Sequence, residues 1–260
     1  MQKAVTSFDP IAERFVMSAI HQSGRSLSIA SDMLGNLQGG ILCDLGCGAG
    51  HMGRKFCEDV EQVVFIDPAK KMLETIAANP PPTSKWCSVQ SVAESLPLES
   101  ESVDIVVSRL AAHHFQDTAK AFSEVYRILR PGGRFLLIDL IGPGPDVDPE
   151  LYQIRSQIEL LHDSSHRTNW YPNLVLESLE EAKFCISEFR RRVIENPSPI
   201  SLDEWCQLTN VPQRKKTEIF DILSSLSDSQ LGALGWTYNN EFELKLPVFV
   251  ILGEKPNADH

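Results

Sequence analysis

The sequence predicts an α/β fold in which a doubly wound, mostly parallel sheet carries an inserted helical cap. Three observations predict it. Short apolar runs alternate with helix-patterned segments from residue 41 to residue 140, the signature of strand–helix repetition in a parallel sheet. A glycine-rich turn, Gly46-Cys-Gly-Ala-Gly50, directly follows the first apolar run. The alternation then breaks down after Gly142-Pro-Gly-Pro145, and the following segments are too helical and too discontinuous to extend the same sheet.

Each element has a local reason. Phe8, Ile11, Phe15, Ile20 and then Leu27, Ala30 and Leu34 recur at helical spacing, interrupted at Ser23-Gly24, which predicts two helices before the first strand. Strands are predicted over 41–45, 62–66, 85–90, 103–108 and 134–140, with helices over 51–59, 69–78 and 117–130. The run Pro80-Pro-Pro82 ends the second crossover helix and Arg130-Pro-Gly-Gly133 the next. Residues 148–163 and 173–182 read as helices, 187–195 as a strand, and 201–229 as helix with Ser201 and Ser227 as caps. Trp236–Asn239 and the strand Glu243–Gly253 close the chain. The organisation expected is N-terminal helices contributing to the cap (1–36), a ligand-binding core (37–142), a cap insertion (143–186), a sheet strand (187–195), a second cap insertion (196–234), and a final strand and tail (235–260). The cap is expected over the C-terminal edge of the strands, where ligands bind in such sheets.

A chain of 260 residues suits one large domain or one domain with a cap. Its formal charge of −11 disfavours a nucleic-acid partner, since affinity for phosphate backbones rests on basic clusters. Arg190–Arg192 and Arg214–Lys216 read as solvated faces. No run approaches the ~18 apolar residues of a membrane span, and the N-terminus lacks a basic region feeding an apolar one, so neither a membrane span nor a secretory signal is expected. Six cysteines without a C-x-x-C pair make a reducing cytoplasm the simplest setting.

Gly46, Gly48 and Gly50 alternate through the turn, where each can adopt angles closed to other residues and lets a ligand approach the backbone. The helix that follows is expected to direct N–H groups at that ligand. Val63-Val-Phe-Ile-Asp67 ends the second strand in a carboxylate at the distance suited to ribose hydroxyls. Two adenosine-bearing cofactors fit, because Gly48-Ala-Gly50-His-Met-Gly53 also satisfies the dinucleotide fingerprint. A glycine turn holding no ligand is the plainer alternative. Asp44 helps to separate the cases. Its carboxylate lies where a dinucleotide's pyrophosphate would pass, and a cationic, amino-acid-like tail suits that position better.

Asp44-x-Gly46-x-Gly48-x-Gly50 resembles the first motif of the class I S-adenosylmethionine-dependent methyltransferases. Asp67 is similar to the acidic residue after their second strand. Ala93-Glu-Ser-Leu-Pro97 resembles the segment lining adenine, Asp104–Phe115 the fourth strand and its loop, and Leu129-Arg-Pro-Gly-Gly-Arg134 the turn before the fifth. The ordered match runs over about residues 38–140 and resembles the type 11 subgroup, which includes the ubiquinone and menaquinone biosynthesis C-methyltransferases. The resemblance implies a seven-stranded sheet with an antiparallel last strand and S-adenosyl-L-methionine as cofactor. It implies cofactor contacts from Asp44, Gly46, Cys47, Gly48, Gly50, Asp67, Pro68, Ala93, Glu94 and Arg109. The sequence departs from the pattern at Val92, where many members are acidic, which leaves adenine to backbone near Ala93 and to Glu94. Arg109 could pair with the cofactor's carboxylate, or equally with Asp44, Asp139 or another protein carboxylate. His51 reads as a packed or loop-bonded histidine, and Met72 is as readily ordinary helix packing as an adenosine contact.

Methyl transfer from a sulfonium needs alignment, exclusion of water and removal of a proton where the nucleophile carries one, so neither a triad nor a metal is required. His113 and His114, beyond the fourth strand, are candidate bases; bonding to backbone to hold the loop is an equal alternative. Glu159, His162, Asp163 and His166 would share a helical face if the helix continued. Their spacing resembles a metal site, but substrate contact by His162 and His166, or a salt-bridged cap helix, is the expectation, and no metal is. Trp170, Tyr171, Trp205 and Trp236 offer flat apolar surface, as core or as pocket wall. The expected activity is methyl transfer to a C, O or N atom of a small organic metabolite, with aromatic and amphipathic molecules among the fitting substrates. The alternatives are a methyltransferase-like cyclase or rearrangement enzyme, an NAD-dependent oxidoreductase, and a non-enzymatic interaction protein.

Overall fold

The computed structural model describes residues 22–37, 39–82 and 85–257. The first helix expected between 8 and 34 falls on positions outside the described residues; the second is α1 (Arg25–Leu34). Strands β1 (Ile41–Leu45), β2 (Gln62–Asp67), β3 (Trp86–Gln90), β4 (Val103–Arg109) and β5 (Leu129–Leu140) follow, with α2 (His51–Phe56), α3 (Lys70–Ala78) and α4 (Thr118–Ile128) between them. The cap contributes α5 (Pro149–His162), whereas α6 (Pro172–Glu181), expected in the cap insertion, packs on the main sheet, to which β6 (Cys185–Ile194) then returns. After it come β7 (Ile200–Ser201), α7 (Leu202–Leu208), α8 (Gln213–Ser224), α9 (Asp228–Leu234), β8 (Trp236–Asn239), β9 (Glu241–Leu244) and β10 (Pro247–Glu254).

The main sheet has seven strands in the order β3-β2-β1-β4-β5-β10-β6. The β1–β2, β2–β3, β1–β4 and β4–β5 pairs are parallel, whereas β10 runs antiparallel to both β5 and β6. Alternate strand residues enter two separate cores. Leu42, Val63, Phe65, Val107 and Ile138 meet α1, α2 and α3 on one face; Cys43, Val64, Val106, Leu137 and Phe249 meet α4 and α6 on the other. Burial on both faces explains why these strands read as continuous apolar runs rather than as alternation. On α4, Ala121, Phe122, Val125 and Ile128 are the buried stripe, and the Asp117 side chain caps the helix by accepting from Lys120 N at 2.9 Å.

Several boundaries differ from expectation. The first crossover helix stops at Phe56, and α4 stops at Ile128. The Arg130-Pro-Gly-Gly133 segment lies within β5, where the pairing jumps from Val103↔Leu129 to Ile105↔Arg134; a proline and two glycines fit an irregular strand entry. The helix expected over 201–229 is three helices, with Pro212 and Ser227 as N-caps of the second and third. A second, three-stranded sheet of order β7-β9-β8 was not foreseen and takes Glu243 and Leu244 away from the final strand. The cap has its own core, in which Leu151, Ile158, Trp205, Ile219, Leu223 and Trp236 cluster. Among the described residues no helix is long and apolar enough to cross a membrane.

Candidate active site

The glycine turn is built by conformation rather than by side chains. Gly46, Gly48 and Gly50 have φ of 66°, 51° and 80°, in the left-handed region that side-chain-bearing residues rarely adopt. The turn is tied to the neighbouring strand, since Gly46 N and Cys47 N both donate to the Ile66 carbonyl at 2.8 and 3.0 Å. A Cβ on Gly46 would lie 2.5 Å from that of Ala111, so this glycine admits the loop after β4. A Cβ on Gly48 would meet nothing within 4 Å, and Gly48 lines the cleft, so a ligand can rest on bare backbone there. The expected stream of N–H groups from the next helix is not what the turn offers: α2 is six residues long, and its Gly53 N donates to Asp44 Oδ2 at 2.7 Å.

A cleft of about 1040 Å³, including the solvent at its mouth, opens at the ends of β1, β2 and β4. It gathers Asp44, Gly46, Cys47, Gly48, Asp67, Pro68, Ala93, Glu94 and Arg109, the expected cofactor set apart from Gly50. Gly50 caps α2 behind the turn and packs toward Phe65 and Ile76. His51, read from sequence as packed or loop-bonded, and Met72, as readily packing as contact, also line the cleft, as do Leu110, Phe115 and Gln116 of the loop after β4. Their signal was faint: each is an apolar or amide residue near a strand end.

Burial pushes the Asp44 carboxyl up to about 7, with nearby Asp67 adding to the rise and the Gly53 N–H and Arg109 opposing it. Asp67 accepts from Gly48 N at 2.9 Å through one oxygen and from Ala69 N at 2.8 Å through the other. Glu94 Oε1 accepts from Gln116 N at 2.7 Å and Asp117 N at 3.2 Å, so that oxygen ties two loops together at the cleft wall. Arg109 pairs with neither Asp44 nor Asp139. It forms a buried ion pair with Glu195, and its Nε donates to Ser26 Oγ at 2.9 Å. The sequence hint was a carboxylate immediately after the apolar Val193-Ile194, which demands a partner once buried.

Three of the four candidate catalytic histidines cluster, since the His166 ring lies 5.0 Å from that of His113 and 6.4 Å from that of His114, while His162 stands apart. His114 lines the cleft, whereas His113, His162 and His166 do not. His113 is fixed by Asp139, whose Oδ1 lies 2.5 Å from Nδ1 and whose Oδ2 accepts the His113 backbone N–H at 2.9 Å. Burial opposes protonation of His113, but the Asp139 carboxylate prevails and its pKa rises. The His114 ring is tilted against that of His113, 3.9 Å between centroids and 50° between planes, and its Nδ1 lies 3.0 Å from Ser165 Oγ. Ser165 Oγ in turn donates to Asp163 Oδ1 at 2.7 Å. Burial, then the charge of His113, lowers His114 to about 3. The metal-like spacing does not converge, because α5 ends at His162. His162 lies flat on Trp205 at 3.6 Å, its Nε2 3.0 Å from that residue's carbonyl, while His166 Nε2 is 3.1 Å from Asn169 Oδ1. Trp170, Trp205 and Trp236 are buried in the cores and line no part of the cleft.

The cleft's chemistry suits a cation-bearing nucleoside. Asp44, Asp67 and Glu94 outnumber Arg109, which Glu195 already neutralises. A sulfonium and ammonium fit such a lining, and a pyrophosphate would be repelled by it. Comparison with known proteins agrees. A family model described as a methyltransferase domain matches residues 43–137. The chain is 33% identical over 201 residues to YcgJ of Bacillus subtilis strain 168, an uncharacterised methyltransferase, covering 75% of this chain and 76% of that protein. The solved structure of YcgJ superposes with a TM-score of 0.79 at 27% identity, over 90% of this chain and 99% of that one. A structure from Bacillus halodurans C-125, provisionally described as a methyltransferase, gives 0.81 at 26% identity over 90% and 100%.

Proposed function

Because this chain belongs to the class I S-adenosylmethionine-dependent methyltransferase family, we propose that it methylates a C, O or N atom of a small organic metabolite at this cleft. The observation that carries the reading is the pairing of Gly48's open backbone with Asp44 and Asp67 on one cleft wall. When bound, S-adenosylmethionine supplies the activated methyl carbon. Asp67 takes the ribose hydroxyls, Pro68 and the backbone around Ala93 flank the adenine, and the Gly46–Gly50 turn carries the amino-acid tail beside Asp44 and Arg109. Val92 stands at the adenine wall and offers only apolar contact.

His114 is the histidine an acceptor can meet. Its low pKa keeps it neutral near pH 7 but makes it a weak base, so it serves only a nucleophile that is already strongly acidic. His113 acts through it, held in place by Asp139. The segment from Asp163 to Trp170 packs beside this edge, with Arg167 N donating to the His113 carbonyl at 2.8 Å; a concave cleft favours a small molecule over a polymer. The likeness to the quinone C-methyltransferases makes an acidic carbon the first nucleophile to try. Incubation with methyl-labelled S-adenosylmethionine and a panel of C–H acidic, phenolic and amine acceptors should move label into a product one CH2 heavier and release S-adenosylhomocysteine. Turnover of an acceptor without either change would contradict the reading and favour a rearrangement.

A further inference from the structure

The segment after α5 is tied to the loop that carries His114, since Arg167 N and Thr168 N both donate to the His113 carbonyl. Ser165 belongs to that segment and is 1% exposed, and its hydroxyl touches two groups at once. Oγ lies 2.7 Å from Asp163 Oδ1 and 3.0 Å from His114 Nδ1. Asp163 Oδ1 also accepts from Ser165 N at 2.7 Å, and Oδ2 lies 4.0 Å from His114 Nε2. Burial raises the Asp163 pKa, but His114 and the two Ser165 donors outweigh it and hold the carboxyl below its ordinary range. Asp163 is therefore ionised near pH 7 and can only accept.

A serine hydroxyl has one proton to give. At 2.7 Å from an ionised carboxylate oxygen that proton goes to Asp163, because two oxygen lone pairs facing each other at this distance would repel. Ser165 Oγ can then only accept from the imidazole, which puts a proton on Nδ1 and leaves the lone pair of the neutral ring on Nε2. We propose that Ser165 and Asp163 are positioning residues that fix His114 as its Nδ1–H tautomer and so make Nε2 the atom that takes the acceptor's proton. The acceptor's C–H or O–H bond breaks, its electron pair stays on that atom to bond the methyl carbon, and the proton passes to Nε2. The electron pair of the C–S bond leaves with sulfur. The imidazolium so formed keeps its Nδ1–H on Ser165, with the Asp163 charge within ion-pair reach of Nε2. This deepens the methyl-transfer reading of the cleft and rests on His114 as the base there.

The tautomer is measurable without turnover. In the full chain with isotope-labelled histidine, long-range proton–nitrogen spectra at pH 7 should show His114 protonated at Nδ1 and not at Nε2. Loss of signals in His114→Gln assigns them, and bound S-adenosylhomocysteine should leave the pattern in place. Ser165→Ala removes the acceptor and should shift His114 toward the Nε2–H form, whereas Ser165→Thr keeps a hydroxyl and should restore the wild-type pattern. Both should bind S-adenosylhomocysteine as the wild type does. With the panel acceptor that takes label, Ser165→Ala should lower kcat about tenfold with little change in KM, the loss of one hydrogen bond to a charged ring. Asp163→Asn keeps an oxygen for both Ser165 donors but loses the charge, so it should retain the tautomer and also lower kcat about tenfold. An Nε2–H tautomer in the wild type, an Nδ1–H tautomer that survives Ser165→Ala, or undiminished kcat in Ser165→Ala would overturn the proposal. Failure of every acceptor to take label would instead defeat the methyl-transfer reading, and the wild-type tautomer would still decide whether Ser165 and Asp163 set the His114 proton.

Discussion

Asp44 sits at the end of β1 with its carboxylate buried against Gly53 N, and its charge depends on what lies beside it. Its folded pKa of about 7 stands above its ordinary 3.8. The group therefore stabilises the fold fully below about pH 3.8, and that contribution is lost as pH rises through about 7. A cationic tail placed beside it draws the pKa down. Binding of S-adenosylmethionine just below pH 7 should thus release a proton, seen as a binding enthalpy that varies with buffer ionisation heat; Asp44→Asn should abolish that dependence. Asp67→Ala removes a charged acceptor from both ribose hydroxyls and should weaken binding about a hundredfold, from two charged hydrogen bonds of ~1.5 kcal/mol each. Gly46→Ala should unfold the turn because Ala111 blocks its Cβ, whereas Gly48→Ala should fold less stably and lose ligand affinity. These positions were legible because the spacing of glycines and carboxylates is local. Arg109's partner was not: Glu195 lies 86 residues away, and only the fold brings them together.

At the scale of elements, strand and helix identities through residue 140 followed from apolar runs buried on both faces. Ends were harder, since α4 stops where Leu129 joins the sheet rather than where Pro131 forbids a helix. The cap misled for a related reason. Residues 201–229 carry a helical period, but Pro212 and the Ser227 capping box divide them into three helices beside a small sheet. The buried Arg109–Glu195 pair anchors α1 to the sheet through Ser26, whose N and Oγ both donate to Glu195 at 2.9 and 2.8 Å. Glu195→Ala should cost about 3–5 kcal/mol by leaving a buried guanidinium unpaired. Ser201→Ala, which removes one of the cap's two capping boxes, should cost only ~1 kcal/mol. Urea denaturation of both variants checks that ranking.

Across the whole molecule, two sheet-flanking cores and a third, separate cap core divide the stability. Cap amides on α7, α8 and α9 should exchange with solvent through openings smaller than global unfolding, whereas β1, β4 and β5 amides should exchange only with it. Equal protection of both sets would mean the cap is not a separate cooperative unit. The strand-end cleft, its acidic lining and the family relationship all point to one occupant. The most direct measurement is calorimetry of the full chain against S-adenosylhomocysteine, S-adenosylmethionine and NAD. The account predicts one-to-one binding of both sulfur nucleosides and none of NAD; binding of NAD alone would contradict it.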